Sequence, residues 1–270
     1  MTRTQQPASL PPPHWQPPTR RNLPLGRTTS LQAWKASRQL AGVPPISCRQ
    51  LVPTGKRAVI VATHPADEVL GCGGLLQLLC QEQRPMLLIS VTNGSSDRNA
   101  AARISQRRMG IIRSQESAEA LSRLGLSLTT LKWVHGGFSD AEVALHEEEL
   151  QRFLSMYLQP SDVVVSTWRC DGHSDHHAVA QACLQACEEL GATFYEMPIW
   201  TWHWASPEDP RIPWERARKL PLDRNAQARK RHAIQAFASQ LYGDPPSAYT
   251  PKLTPTMLQR WQQPFELFFL

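Results

Sequence analysis

The chain has 270 residues, a net charge of +6, 41% apolar residues and 23 prolines. That length suits one large domain or two small ones, and no run of about 18 apolar residues predicts a membrane-spanning helix. The six cysteines form no CxxC pair, so they read as reduced thiols of a cytoplasmic protein rather than a disulfide framework. The charge is uneven: residues 1–66 hold nine Lys/Arg and no acid, while the remainder holds 20 basic and 23 acidic residues. A basic arm of this kind can touch nucleic acid or anionic lipid. No recognition motif accompanies it, so no specific nucleic-acid partner is expected.

Residues 1–30, with Pro11-Pro12-Pro13 and Pro17-Pro18, are expected to form a disordered arm. The arm also lacks the apolar core of a secretory signal peptide. Residues 31–270 then read as a single domain. Leu31 to Leu40 suits a short helix. From residue 56, strand-like runs recur at Ala58–Ala62, Met86–Val91, Thr130–Val134, Asp162–Thr167 and Thr193–Met197. Helical stretches fall between them at about 70–83, 101–124, 141–158 and 176–190. Strands alternating with helices predict an α/β fold, a three-layer sandwich around a mainly parallel sheet. Ligands of such sheets bind at the carboxyl ends of the strands. After residue 198 the pattern weakens into a Trp- and Pro-rich stretch, a helix at about 223–241 and a tail.

Two segments at predicted strand ends carry chemistry. The first is Thr63-His64-Pro65-Ala66-Asp67-Glu68, and the second is His173-Ser174-Asp175-His176. Catalytic zinc takes three protein ligands and keeps one position open. His64 and Asp67 can supply two from one loop, and His176 supplies the third from the other. His173 is then available as a general acid, and Asp175 can hold a histidine in its working tautomer. His177 is expected to point elsewhere. The glycines of Gly71-Cys72-Gly73-Gly74 fit no phosphate loop and predict close packing at a helix start.

Other residues are candidates for binding substrate. Glu116 falls on the apolar face of its helix, where a lone charge is costly and predicts a partner, with Arg113 as one candidate. Arg113 and Glu116 are read as bordering the site. Trp200, Trp202 and Trp204 alternate, so on an extended chain they share a face suited to a sugar ring or to core packing. Trp202 is the candidate for substrate. Asp140, in a loop after a strand, is a candidate for a sugar hydroxyl.

These segments resemble the PIG-L/LmbE-like family of zinc-dependent N-deacetylases. That family carries an HP-D-D-E segment after its first strand, then a glycine-rich helix start, and HP-D-H after a later strand. The resemblance runs from about Lys56 to Gln240. It includes Arg113-x-x-Glu116, Gly137-Phe138-x-Asp140, Lys230-x-x-Ala233-Ile234 and Ser239-Gln240. It implies a Rossmann-like fold and hydrolysis of an N-acetyl group on an amino sugar or glycoconjugate of the N-acetylglucosamine type. By position, His64, Asp67 and His176 take the zinc-ligand roles, and His173 assists the tetrahedral intermediate and the leaving group. The sequence departs from the pattern in three places. Ala66 replaces the first acid of the Asp-Asp pair, the family's general base. Ser174 replaces the proline of HP-D-H. Asp171 stands where some members place a tyrosine that helps hold the oxyanion. The base missing at Ala66 predicts impaired hydrolysis, or alternatively a catalytically silent binding protein of the same fold.

Overall fold

A computed structural model describes residues 29–95, 105–242 and 252–270. The expected basic arm lies almost wholly outside these residues, as does the start of the helix expected at 101–124. The elements, in chain order, open with α1 (Leu31–Ala36), α2 (Arg38–Gly42), α3 (Cys48–Leu51), β1 (Ala58–Ala62), α4 (Asp67–Gln81) and β2 (Met86–Thr92). Next come α5 (Gln106–Arg123), β3 (Lys132–Phe138), α6 (Glu147–Tyr157), β4 (Val163–Thr167), α7 (Ser174–Leu190) and β5 (Thr193–Met197). The chain closes with α8 (Thr201–Trp204), β6 (Ala217–Pro221), α9 (Arg224–Ile234), α10 (Ala238–Leu241), α11 (Pro255–Trp261) and β7 (Phe265–Phe269). Where one short helix was expected near residue 31 there are two. Ser37 ends α1 and caps α2, its side chain accepting from Leu40 N.

One seven-stranded sheet runs in the order β3-β2-β1-β4-β5-β7-β6. β1 to β5 are parallel, because a helical crossover joins each of them to the next. Strand β1, Ala-Val-Ile-Val-Ala, is buried along its whole length, as a central parallel strand covered on both faces must be. Ala58 and Ile60 face a core shared with α4, α5 and α9. Val59 and Val61 face a second core under α6 and α7. These two cores form the expected sandwich.

The tail departs from the expectation. Phe265–Phe269 is β7, antiparallel to both of its neighbours, β5 and β6. It is fixed from below by Glu266, whose carboxylate accepts from Gly74 N (2.6 Å), Leu75 N (2.8 Å) and the Lys230 ammonium (2.5 Å). The α4 glycines are there for packing. A Cβ on Gly71 would lie 2.2 Å from Met197 Sδ, and one on Gly74 would lie 2.2 Å from Leu222 Cδ2.

Because β2 and β4 flank β1, the crossovers after β1 and β4 leave on opposite faces, and a crevice opens at the ends of these strands. Thr63 Oγ1 and Thr167 Oγ1 hydrogen-bond across it at 2.8 Å, tying the two loops that carry His64 and His176.

Candidate functional site

The first loop turns sharply at Ala66 (φ 94°, ψ −22°) before α4 begins. The turn is held by its own side chains. Asp67 Oδ2 accepts from His64 N at 2.9 Å, and Glu68 Oε2 accepts from Ala66 N at 3.0 Å. Burial pushes the Glu68 carboxyl up to about 7. The second loop leads into α7, whose N-cap is His173, with Nδ1 accepting from Asp175 N at 3.2 Å.

Three ligand-type atoms meet between the loops. His64 Nδ1 lies 3.2 Å from His176 Nε2 and 3.6 Å from Asp67 Oδ2, and His176 Nε2 lies 3.4 Å from Asp67 Oδ2. Zinc bonds of about 2.0–2.2 Å at tetrahedral angles place ligand atoms roughly 3.3–3.5 Å apart. The triangle therefore fits one such ion. His64, His173 and His176 also bring their ligand atoms within 4.8 Å of one another, as do His64, Asp140 and Asp175. In the His64–Asp67–His176 set each histidine also has a carboxylate on its far nitrogen. His176 Nδ1 is 2.7 Å from Asp171 Oδ2. His64 Nε2 is 3.0 Å from Asp140 Oδ1 and 3.1 Å from Asp175 Oδ2. A carboxylate accepts only, so the far nitrogens carry the protons. In neutral rings the near nitrogens then face each other, and Asp67, with lone pairs. A cation, whether a second ring proton or a metal ion, fits that arrangement.

The titration behaviour agrees. Burial works against a charged His64, but hydrogen bonds to Asp140, Asp175 and Asp67 reverse this and raise it well above the usual imidazole value. Burial likewise opposes a charged His176, and Asp67 and Asp171 raise it. Asp67 resists burial because His176 and His64 hold it below the carboxylate range. These are signs of a site with a surplus of negative charge.

The remaining candidates fall in different places. Asp140 lies in the loop after β3, with its carboxylate against His64. Asp175 does hold a histidine, and that histidine is His64. His177 Nδ1 meets the Arg169 carbonyl at 3.1 Å, away from the triangle. Arg113 and Glu116 are both buried. Glu116 finds its hydrogen-bond partner in Ser239, whose N and Oγ donate at 2.6 and 2.7 Å, instead of in a cation. Arg113 Nη1 donates to Gly94 O at 2.6 Å and acts on Glu116 only through its charge. Arg113 thus braces the loop after β2 and Glu116 the start of α10, from which Gln240 Nε2 donates to Pro65 O in the loop after β1 at 3.1 Å.

The reading of Trp202 needs correction. Residues 201–204 are helical, so the three tryptophans share no face. Trp202 is buried with its ring 5.0 Å from that of Trp34. Trp204 is the residue beside the second loop. It donates to Asp171 O at 2.8 Å, and the Arg211 guanidinium lies 4.3 Å from its ring centroid. Asp171, which the resemblance marks only as a replacement for a tyrosine, holds His176 Nδ1. Its only signal in the sequence was a carboxylate five residues before a candidate ligand, at the end of a strand.

An α/β sandwich with a histidine–carboxylate cluster at the β1/β4 crevice defines the class of LmbE-like deacetylase folds. Residues 59–187 match the PIG-L family, described as GlcNAc-PI de-N-acetylase. Over 156 residues the chain is 32% identical to the uncharacterized deacetylase YaiS of Escherichia coli (strain K12), spanning 54% of this chain and 76% of that protein. The chain belongs to the PIG-L/LmbE-like deacetylase family. Solved structures share the fold, two of them as follows. The zinc-inhibited form of teicoplanin deacetylase Orf2 superposes with a TM-score of 0.57 at 14% identity, over 79% of this chain and 97% of that one. The N,N'-diacetylchitobiose deacetylase from Pyrococcus horikoshii gives 0.51 at 16% identity, over 72% and 77%. Among the described residues no helix is long and apolar enough to cross a membrane.

Proposed function

We propose that this chain is a zinc-dependent N-deacetylase of an acetylated amino sugar or glycoconjugate, and that Ala66 limits its rate. The observation that carries the metal is the triangle of His64 Nδ1, Asp67 Oδ2 and His176 Nε2, with protons directed to the far nitrogens. A zinc ion there would activate water and polarise the amide carbonyl. The rest of the reading concerns the chain's own groups. His173 is half-buried at the cap of α7. Its Nδ1 accepts from Asp175 N, so a neutral ring carries its proton on Nε2, the atom that would protonate a leaving amine. Asp175 and Asp140 keep His64 oriented. Residue 66 follows His64-Pro65 and precedes Asp67, at the position where the family has its proton acceptor, and an alanine cannot accept a proton.

The substrate class rests on the family and on what its relatives' names state. In this reading Arg113 and Glu116 border the crevice, and Asp140 sits against His64. A second reading, a catalytically silent protein that binds without turnover, is favoured by Ala66 alone.

The test is acetate release from N-acetylglucosamine conjugates by the full chain with zinc, beside His64→Ala and Asp67→Ala. Slow release that needs zinc and is lost in both variants is expected. If chelator-free protein takes up no divalent ion and Asp67→Ala behaves like the parent, the reading is wrong.

A further inference from the structure

Asp171 is fully buried and is ringed by donors from two parts of the chain. Its Oδ2 accepts from His176 Nδ1 at 2.7 Å and from Trp200 N at 2.8 Å. Its Oδ1 accepts from Ile199 N at 3.1 Å, Thr201 N at 2.9 Å and Thr201 Oγ1 at 2.5 Å. One carboxylate therefore joins a member of the metal triangle to the whole turn between β5 and α8. The wall beyond is built on the same residue. Trp204 donates to the Asp171 carbonyl. Gly172 (φ +82°) lets that ring approach, since a Cβ would sit 2.8 Å from Trp204 Nε1.

We propose that Asp171 is a positioning residue with two linked effects: it sets the metal affinity of the triangle by fixing the proton of His176 on Nδ1, and it makes the order of Ile199–Thr201 depend on that metal. The proposal rests on the zinc reading above. Its logic is one of donors and acceptors. Every neighbour of Asp171 donates, and a carboxylate is the side chain that accepts from all of them. In an Asp171→Asn variant one oxygen becomes an NH₂. The backbone amides of 199–201 cannot become acceptors, whereas the imidazole can, by moving its proton to Nε2. The Oδ1 side faces two backbone amides within 3.1 Å and the Oδ2 side one, beside His176, so the NH₂ turns to His176, and the nitrogen facing the metal becomes N–H and ceases to be a ligand. Losing a partner of this kind costs about 10–100-fold in metal affinity.

Coupling of the turn follows by reciprocity. If the turn braces His176 through Asp171, a metal that draws His176 into one position also steadies the turn. A carboxylate with a purely structural role would stabilise the fold without changing the metal.

The experiment uses the full chain and zinc alone. Chelator competition measures affinity for the parent, Asp171→Asn and Thr201→Val. Cobalt substitution reports the ligand set by its visible absorption, and hydrogen exchange follows the amides of Ile199, Trp200 and Thr201 with and without zinc. Expected are a 10–100-fold loss of affinity in Asp171→Asn with an altered cobalt spectrum, a loss below tenfold in Thr201→Val, and zinc-dependent protection of the three amides in the parent. A folded Asp171→Asn with parental affinity and spectrum overturns the proposal. If that variant fails to fold, the parent decides, because zinc that leaves exchange at 199–201 unchanged also overturns it. A parent that binds no zinc refutes the zinc reading itself, a different result from a parent that binds zinc no better than its Asp171→Asn variant.

Discussion

Restoring the acid at position 66 is the most informative perturbation. Ala66 has φ 94° and is 1% exposed. That backbone region costs an ordinary L-residue about 1–2 kcal/mol and is visited more readily by Asp and Asn. The turn is thus already shaped for Asp, and Ala66→Asp is expected to relieve strain in the backbone. The new carboxylate lies beside Asp67, so without metal it adds like charge to a buried cluster and destabilises the protein. With zinc that charge is offset. A general base contributes about 10²–10⁴-fold to rate, which at about 1.36 kcal/mol per decade is roughly 3–5 kcal/mol of barrier. Acetate release at saturating zinc is expected to rise by that factor in Ala66→Asp. Ala66→Asn, with the same backbone preference and no base, is expected to stay near the parent. A gain below tenfold at equal metal occupancy, or an equal gain from Asn, refutes the argument that a missing proton acceptor limits this chain.

Three further predictions concern the frame around the site. His203 is buried, and burial together with the Arg260 charge holds its pKa near about 3. Unfolded chains bind its proton near 6.5, so stability is lost as pH falls from 6.5 towards 3, by up to about 1.4 kcal/mol per unit. Urea unfolding at pH 7 and pH 5 should show about 2 kcal/mol of acid loss in the parent that His203→Gln lacks, and parallel losses would contradict this. Lys230 and Glu266 form an ion pair with side chains only 2% and 1% exposed. Lys230→Met leaves a buried carboxylate short of a partner and should cost about 3–5 kcal/mol in chemical denaturation, with a loss under about 1 kcal/mol counting against it. Gly74→Ala should destabilise, since overpacking against Leu222 costs about 1–3 kcal/mol and outweighs a helix-propensity gain of up to about 1 kcal/mol. A raised melting temperature would contradict the contact.

The parallel half of the fold was legible because each of its strands carries its own signal. Ala58–Ala62 is an apolar run and Thr193–Met197 a short aromatic-containing run directly after a helix-length segment, and the structure gives them those same bounds. The antiparallel end was not. β7 reads Phe-Glu-Leu-Phe-Phe, and the acid in it looks like a surface residue until the Lys230 ammonium and two α4 amides are seen to meet it. That burial depends on residues 36 and 192 positions away, and local pattern has no access to it. The tryptophans failed for a related reason. Alternation implies a shared face only on an extended chain, and the turn after β5 is wound into a helical turn around Asp171.

The site separates in the same way. Residue types and spacing mark His64, Asp67 and His176 as potential ligands, yet what makes them a triangle is a set of contacts remote in sequence: Asp140 and Asp175 behind His64, and Asp171 behind His176. None of these contacts involves the side chain of residue 66. The turn at that residue is kept by backbone and by its successors, with Ala66 N donating to Glu68 and Ala66 O accepting from Val69 N (3.0 Å) and Leu70 N (2.8 Å). An acid can therefore be lost at 66 without loosening the ligand geometry. That independence makes Ala66→Asp a clean experiment, because the variant alters the proton acceptor while the carboxylates that orient the histidines stay where they are.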